Sequence, residues 1–308
     1  MDNKILGLHH ITAIAGNAQK NVDFYTKVLG LRLVKKTVNF DDPGTYHFYY
    51  GDESGNPGTI LTFFPWEGIA KGRTGTGMAT EINFAVPENS LKYWEDRLTE
   101  NKVVFNRSAP RLGDVSLKLQ DPDGLILNFI ETKDSRQPWK AVPEEYGVKG
   151  FQGAVLTLNK LEPTAKLLTE TLGYELDKQE GNLYRFITRA AENANVIDIL
   201  LDPDGRRGHN AAGTNHHIAF RVKDDNVLMN FREKIAALGF NITPKIDRNY
   251  FYSLYFREPG GVLFEIATDN PGFAIDEPKD KLGKELKLPA QYENARKEIE
   301  KLLPVVEF

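Results

Sequence analysis

Two pairs of adjacent histidines and one late glutamate are the side chains of this 308-residue sequence best suited to metal chemistry. The pairs, His9-His10 and His216-His217, hold four of the six histidines. Each pair lies in a short apolar run bounded by turn residues, as does Glu265 after Gly260-Gly261, and these patterns predict three β-strands. Two neutral imidazoles and one carboxylate form a facial triad whose open positions let a divalent metal meet both an organic substrate and O₂.

The strands that carry these residues belong to a repeated unit. The segment Leu29-Gly30-Leu31-Arg32-Leu33 recurs as Leu172-Gly173-Tyr174-Glu175-Leu176, and each copy ends a helical pattern that a strand precedes. Two further copies align Gly77–Val86 with Gly213–Val222, and each is followed by a helical pattern and then a turn and a strand. The sequence therefore predicts four strand-helix-strands units that begin near residues 7, 77, 150 and 213.

The predicted fold class is α+β: four βαβββ units paired into two curved mixed-sheet half-barrel domains, with a C-terminal helical tail. Units one and two occupy residues 1–133 and units three and four occupy residues 148–270. The charged, proline-containing stretch Lys133–Gly147 is interpreted as the linker between them. Alternate side chains of a curved sheet point into a concave apolar space, which suits a metal site.

The tail, residues 271–308, lies beyond the repeat and is rich in charged residues. Tyr292, Ile299 and Leu302-Leu303 are candidates for docking it on the body of the protein. We favour a solvated terminal helix over a lid above the site.

Bulk composition narrows the functional class. Net charge is -4 with dispersed basic residues, so no nucleic-acid partner is expected. The absence of cysteine excludes disulfides and thiolate ligands and fits a cytoplasmic protein. The first residues lead directly into strand-like sequence, and no window has the roughly 18 apolar residues of a membrane span, so no membrane association is expected. The oligomeric state stays open, a homo-oligomer included.

The sequence resembles the vicinal oxygen chelate superfamily, and within it the dioxygenases that cleave para-hydroquinone rings. The resemblance covers nearly the whole chain and is carried by Leu8-His9-His10-Ile11-Thr12, by Asn215–Phe220 and by Tyr255–Glu265. It implies that the second histidine of each pair and the late glutamate, namely His10, His217 and Glu265, hold Fe(II) or, alternatively, Mn(II). It also implies a small aromatic substrate and O₂ as partners.

The same resemblance implies a set of residues that line the substrate pocket: His9, Thr12, His216, Arg248 and Tyr255. Tyr255 would hydrogen-bond a phenolate or the bound oxygen, Arg248 would orient the distal hydroxyl, and His9 or His216 would exchange protons. Strict alternation sends neighbouring strand residues to opposite faces, so both members of a His-His pair reach one site only with a bulge or at a sheet edge.

The repeat provides an internal comparison. A single His-His pair is more often a pair of satisfied core histidines, but two pairs at equivalent places favour metal ligands. Units two and three carry Glu81 opposite His217, Asn128 opposite Glu265 and Gly153 opposite His10. We therefore predict one functional cleft and one degenerate cleft of the same geometry, with an ordinary surface role for Glu81 as the alternative.

The number of ligands separates the chemistries within the superfamily. Glyoxalase-type isomerases use four protein ligands, including a carboxylate from each unit. Aligning the Pro-Gly turns places Phe63 of unit one opposite Glu265, and its neighbours Thr62 and Phe64 are no better as ligands. Three ligands favour an oxygenase. The alternatives are a catechol-type extradiol dioxygenase, a glyoxalase-like metalloenzyme and a drug-binding resistance protein, the last being disfavoured by the triad.

Overall fold

Four units of the predicted kind build the protein, which a computed structural model describes over residues 4–308; residues 1–3 of the predicted first segment lie outside the described part. Unit one contains β1 Leu8–Ala15, α1 Ala18–Val22 with a π-helical continuation Asp23–Val28, β2 Arg32–Asn39, β3 Asp42–Gly51 and β4 Ile60–Pro65. Unit two contains β5 Met78–Pro87, α2 Leu91–Glu100, β6 Phe105–Arg111, β7 Asp114–Gln120 and β8 Ile126–Thr132. Unit three contains β9 Gly150–Leu158, α3 Glu162–Lys166 with a π-helical continuation Leu167–Thr171, β10 Glu175–Glu180, β11 Leu183–Ile187 and β12 Val196–Leu201. Unit four contains β13 Thr214–Val222, α4 Asp225–Ala237, β14 Ile246–Asp247, β15 Phe251–Arg257 and β16 Leu263–Pro271.

The repeat extends to the way its helices end. In units one and three the last turn widens to a π-type hydrogen bond, from Leu29 N to Phe24 O and from Leu172 N to Leu167 O. Gly30 and Gly173 follow at φ +68° and +75°. Only glycine adopts this left-handed conformation at little cost, which is why Leu-Gly recurs at both helix ends.

The strands form two eight-stranded mixed sheets, which confirms the predicted fold class. The first sheet has the order β14-β15-β16-β13-β1-β4-β3-β2 and the second has the order β10-β11-β12-β9-β5-β8-β7-β6. Each sheet therefore joins units from different halves of the chain: unit one pairs with unit four, and unit two with unit three. Within a unit the first and last strands run parallel, and at the centre of each sheet two first strands pair antiparallel.

This pairing crosses the predicted segments 1–133 and 148–270, which we retain only as a proposed division of the sequence by repeat. The physical reason is that all four units present the same kind of strand edge at their first strand. A repeat identifies equivalent edges but does not say which two of them pair. Consecutive units instead touch through side chains: Tyr25 Oη donates to Asp121 in the turn before β8, and Thr164 Oγ1 donates to Glu258 in the turn before β16.

The C-terminal tail packs against the edge of the first sheet. Ile299 and Leu303 pack with Val38 of β2, and Tyr292 lies alongside them. The predicted docking is confirmed for Tyr292, Ile299 and Leu303 but is wrong for Leu302, whose side chain is 70% exposed. The tail comprises three short 3-10 turns and the helix α5 Arg296–Leu302. Among residues 4–308, no helix combines the length and apolar character needed to cross a membrane.

Candidate metal centre

Three neighbouring strands of the first sheet bring His10, His217 and Glu265 together. The Nε2 atoms of His10 and His217 lie 3.1 and 2.8 Å from Glu265 Oε2. All three candidate ligand atoms lie within 4.8 Å of one another. The side chains are buried, and that of Glu265 is 0% exposed. The spacing suits three donors around one ion, and no other group of three or more His, Cys, Asp or Glu side chains with this spacing was found within residues 4–308.

A β-bulge at each histidine pair resolves the conflict between strand alternation and the predicted pocket. Across β1 and β13, Leu8 pairs with Phe220 but His10 pairs with Ala219, so His9 is the extra residue. Further along, Thr12 pairs with His217 but Ala13 pairs with Asn215, so His216 is the extra residue on the other strand. The expected bulges are thus confirmed at both pairs, because an inserted residue re-aims its side chain.

Within each pair the two imidazoles contact each other through Nδ1. The Nδ1 atoms of His9 and His10 are 2.9 Å apart, and those of His216 and His217 are 2.8 Å apart. If Nε2 of His10 and His217 offers its lone pair to a cation, the ring proton lies on Nδ1 and is donated to the preceding histidine. The preceding histidine then carries its own proton on Nε2. The acceptors that orient the two candidate ligands are therefore His9 and His216.

The electrostatics of the cluster fit a cation. Neither imidazole contact with Glu265 has hydrogen-bond geometry, so both oxygens of this buried carboxylate lack a hydrogen-bond partner among the described residues. Burial alone would raise the pKa of the Glu265 carboxyl, whereas positive charge or N–H groups at the positions of the His10 and His217 rings lower that pKa below its ordinary value. Imidazole lone pairs facing an unsatisfied carboxylate repel it unless a positive charge lies between them. The donor set suits Fe(II) or Mn(II).

A cavity of about 270 Å³ opens beside the cluster. It is lined by both candidate histidine ligands and by aromatic and polar side chains: His10, Thr12, Asn39, Phe40, Asp41, His47, Tyr49, Phe64, Trp66, His216, His217, Arg248, Phe251, Tyr255 and Leu263. Four of the predicted pocket residues, Thr12, His216, Arg248 and Tyr255, are thus on the cavity wall. His9 is not, because its ring lies behind His10 and packs on Phe251 at 5.1 Å. No described residue of the tail lines this cavity, so the structure gives no support to a lid.

A tight hairpin explains how Arg248 and Tyr255, seven residues apart, meet. The chain reverses after β14 at Asn249, whose φ is +64°, and β15 then runs antiparallel to β14. The Nε atom of Arg248 donates to Tyr255 Oη at 3.3 Å. Burial raises the pKa of Tyr255 above its ordinary value, so its hydroxyl keeps its proton at neutral pH. Because Tyr255 Oη accepts from Arg248, its own proton is left for a ligand in the cavity.

Burial also keeps the first histidine of each pair neutral. It lowers the pKa of His9 well below its ordinary value and lowers the pKa of His216 to about 3. With its Nδ1 occupied by His217, His216 has only Nε2 left to offer the cavity. A neutral His216 in this tautomer is a hydrogen-bond donor, and the proton exchange expected of it stays a prediction.

The sequence reasoning missed His47 and Tyr49 of β3. His47 Nδ1 is 2.9 Å from Tyr49 Oη, and His47 Nε2 is 2.9 Å from Thr62 Oγ1. Both rings lie on the cavity wall. Their spacing of two residues in a strand is a signal for side chains on one face. It went unused because this histidine is not part of a His-His pair.

The second sheet contains an equivalent cleft with different chemistry. Glu265 and His10 both pair with Ala219, just as Asn128 and Gly153 both pair with Asn83. These registers confirm the predicted alignment of Gly153 with His10 and of Asn128 with Glu265. Glu81, the equivalent of His217, is buried rather than on the surface.

Protein cations neutralise the acidic groups of this second cleft. Lys118 Nζ lies 2.6 Å from Glu81 Oε1, and Asn128 Nδ2 donates to Glu81 Oε2 at 2.8 Å. Arg185 pairs through two nitrogens with Asp198, at 2.8 Å each. The remaining cavity is about 50 Å³. The charged groups described in this cleft are already paired with one another, and the cavity is small. The cleft therefore has neither the space nor the unpaired ligand atoms that a metal ion needs.

Strand register also corrects which residue of unit one is the equivalent of Glu265. Thr12 pairs with Thr62 across β1 and β4, as Ala219 pairs with Glu265 across β13 and β16. The equivalent of Glu265 is therefore Thr62, not Phe63, because strand register rather than the Pro-Gly turn sets the match. Thr62 is not a carboxylate, so three protein ligands remain the prediction.

Known proteins resemble this chain over nearly its full length. The sequence profile of the Glyoxalase/Bleomycin resistance protein/Dioxygenase superfamily matches residues 7–129 and 150–266. MhqO of Bacillus subtilis strain 168, provisionally named a ring-cleaving dioxygenase, is 47% identical over 308 residues, which cover 99% of this chain and 98% of MhqO. The chlorohydroquinone/hydroquinone 1,2-dioxygenase of Sphingobium indicum is 35% identical over 309 residues, covering 97% and 96% of the two chains.

A solved structure is similarly close. The crystal structure of a provisionally assigned dioxygenase from Bacillus subtilis subsp. subtilis str. 168 matches with a TM-score of 0.95 and 46% identity, and the match covers 99% of this chain and 98% of that one.

Proposed function

The chain belongs to the Glyoxalase/Bleomycin resistance protein/Dioxygenase superfamily, and on that premise we propose that it is a metal-dependent ring-cleaving dioxygenase acting on a hydroquinone-type aromatic substrate. The observation that carries the proposal is the buried cluster of two imidazoles and one unsatisfied carboxylate beside an aromatic-lined cavity. The cavity volume lies at the small end for ligand pockets, which suits a single-ring substrate.

His10, His217 and Glu265 would hold the metal, with Fe(II) as the proposed ion and Mn(II) as the alternative. Such an ion supplies Lewis acidity toward a phenolic oxygen and an electron-transfer route that lets O₂ react with the ring. Overall, both atoms of O₂ enter the product as the bond between the hydroxyl-bearing ring carbon and its neighbour breaks. The product is a ring-opened acid or semialdehyde.

The protein's own groups would bind and orient the ring. Tyr255 keeps its proton and accepts from Arg248, so it donates to the substrate oxygen nearest the metal ligands. Arg248 remains cationic, since burial alone would lower its pKa but Tyr255 and Glu265 raise it above the ordinary value. It would orient the distal hydroxyl. His216 would donate to the substrate from Nε2. His9 does not line the cavity and would act indirectly, by accepting from Nδ1 of His10 and fixing the orientation of that ring.

The absence of a fourth ligand favours this chemistry over isomerisation. The residue equivalent to Glu265 in unit one is Thr62, whose hydroxyl already donates to Thr12. Vacant positions are what O₂ and a phenolate both require, whereas a fourth carboxylate would fill one of them.

Anaerobic loading with Fe(II) or Mn(II), followed by O₂ uptake with a panel of hydroquinones and catechols, tests the proposal. We expect one metal per chain and stoichiometric O₂ uptake with hydroquinones. Uptake with catechols alone would favour an extradiol dioxygenase instead. The variant His217→Ala should remain folded and lose the metal; retention of metal at full stoichiometry would contradict the assignment.

A further inference from the structure

A histidine outside the candidate metal cluster shares the cavity wall with it. The ring of His47 packs against Tyr49 at 4.1 Å and Phe64 at 4.3 Å. Both of its nitrogens are engaged, Nδ1 by Tyr49 Oη and Nε2 by Thr62 Oγ1, each at 2.9 Å. Thr62 continues the series, since its Oγ1 lies 2.9 Å from Thr12 Oγ1. Four polar side chains therefore form one chain of hydrogen bonds that ends at Thr12.

The direction of this chain follows from the proton count. Thr62 donates to Thr12, and a hydroxyl has only one proton, so Thr62 must accept from His47 Nε2–H. A neutral imidazole carries one proton, and burial lowers the pKa of His47 well below its ordinary value. Nδ1 of His47 is then an acceptor, and Tyr49 Oη donates to it. Every proton in the chain points toward Thr12.

Thr12 stands at the end that faces the candidate metal centre. It pairs with His217 across β1 and β13 and lies two residues beyond His10. Its side chain is buried, and its oxygen is already occupied as the acceptor from Thr62. Its own proton has no acceptor among the hydrogen bonds of the described residues. It lines the cavity, so that proton is available to a bound ligand.

We propose that Tyr49, His47 and Thr62 are positioning residues that hold the Thr12 hydroxyl as a hydrogen-bond donor to a hydroquinone oxygen. The inference rests on the proposed function for the identity of the ligand. The second cleft lacks the whole device. By strand register, Tyr49, Thr62 and Thr12 correspond there to Arg185, Asp198 and Val155.

The test uses Thr62→Val, which keeps the shape of the side chain and removes the hydroxyl that links His47 to Thr12. The matched control is Thr37→Val, because Thr37 is a buried threonine of β2 whose hydroxyl has no hydrogen-bond partner among the described residues. Nitrogen NMR of the His47 ring, assigned by comparison with His47→Gln, reads the tautomer without any turnover. Calorimetry of anaerobic hydroquinone binding to the Fe(II)-loaded protein reads the effect on the ligand.

We expect wild-type His47 to carry its proton on Nε2 and Thr62→Val to disturb that tautomer. Hydroquinone affinity should fall about 3- to 10-fold, the effect of one neutral hydrogen bond, with metal affinity unchanged. In a Thr12→Val background, Thr62→Val should have no further effect, because it acts through Thr12.

If His47 in the wild-type protein carried its proton on Nδ1, the proposed positioning of Thr12 would be wrong, but the proposed function would stand. The same conclusion would follow from hydroquinone affinity in Thr62→Val equal to that in Thr37→Val, or from an undiminished further loss in the double variant. Absence of any hydroquinone binding to the wild-type protein would instead overturn the proposed function, and with it the ligand named here.

Discussion

The two sheets contain the same cleft in opposite electrostatic states. In the first sheet, the buried carboxylate of Glu265 lies beside His10 and His217 and has no hydrogen-bond partner among the described residues. In the second, Lys118 and Arg185 neutralise the acidic groups that face the cleft. Lys118 occupies the strand position that Tyr255 occupies in the first sheet, since they pair with the equivalent residues Asn128 and Glu265.

The difference shows how a repeat can keep its geometry while losing a metal site. The same strand registers are present in both sheets, so backbone geometry alone does not make the candidate centre. What differs is whether the charge that balances the carboxylates comes from protein side chains or must come from a bound ion. This comparison can be tested from both sides.

The largest expected effect separates the two clefts by metal binding. Glu265→Gln keeps the size of the side chain and removes the anionic ligand. We expect metal affinity to fall by more than about 100-fold, beyond the usual effect of changing an outer-shell partner, and turnover to vanish. Metal content after dialysis and O₂ uptake measure this. The same substitution in the second cleft, Glu81→Gln, should leave both unchanged; equal losses in the two variants would contradict the comparison.

The next effect concerns the ion pairs of the second cleft. Asp198→Asn leaves the buried guanidinium of Arg185 with Asp114 as its remaining partner. We expect the free energy of unfolding to fall by about 2–3 kcal/mol, because the buried guanidinium loses its two charge-assisted hydrogen bonds to Asp198 and keeps only Asp114. Denaturant unfolding with metal titration checks this, and metal affinity should not change. The exposed pair Arg189–Glu175 of the same sheet is the control, and Glu175→Gln should cost no more than about 0.5 kcal/mol. An equal cost in the two variants would show that the cleft pairs are not special.

A smaller effect is expected at the position equivalent to His10. A Cβ added to Gly153 would lie 2.3 Å from Val196 O, so this strand position accepts no side chain without a backbone shift. Gly153→Ala should lower the free energy of unfolding by about 1–3 kcal/mol. Gly44→Ala in β3, where the added Cβ meets only Asp42 at 3.8 Å, should be close to neutral. If Gly153→Ala is equally neutral, steric exclusion does not explain the missing histidine, and a grafted ligand becomes feasible.

The smallest effect tests a feature that the two sheets share. The turns before β8 and β16 each hold a buried carboxylate, and burial raises the pKa of Asp121 to about 6 and raises that of Glu258 above its ordinary value. Because the folded pKa of Asp121 exceeds its unfolded value, its ionisation opposes folding above about pH 6. That penalty is relieved as the pH falls toward the unfolded value.

Between pH 7 and pH 5 the wild-type protein should gain about 1 kcal/mol from this group, and Asp121→Asn should lack that gain. Unfolding curves at the two pH values measure the difference. Asp177→Asn, at an exposed position of β10, should behave as wild type. Parallel pH dependence in wild type and Asp121→Asn would show that Asp121 titrates at its ordinary value when folded.

Much of the candidate site could be predicted from the sequence because the repeat made residues comparable. The alignment of Glu81, Asn128 and Gly153 with the three candidate ligands agrees with the strand registers. The predicted equivalent of Glu265 in unit one, Phe63, was one residue away from the true equivalent, Thr62. The error arose because the Pro-Gly turn used for the alignment is a weaker guide than strand register. His47 was missed because it stands outside the His-His pairs and because its partner Thr62 lies on β4, whose pairing with β3 the sequence does not specify.

The sequence by itself determined the donor types, the four units and the chemical asymmetry between their copies, because these depend on residue identity and local periodicity. The tertiary structure alone decided that unit one pairs with unit four, that His9 and His216 are the extra residues of two β-bulges, and that Lys118 and Arg185 neutralise the acidic groups of the second cleft. These outcomes depend on which strand edges meet and in what register, and such contacts join residues up to about two hundred positions apart. Local sequence carries little record of them, since equivalent edges are interchangeable until the whole chain packs.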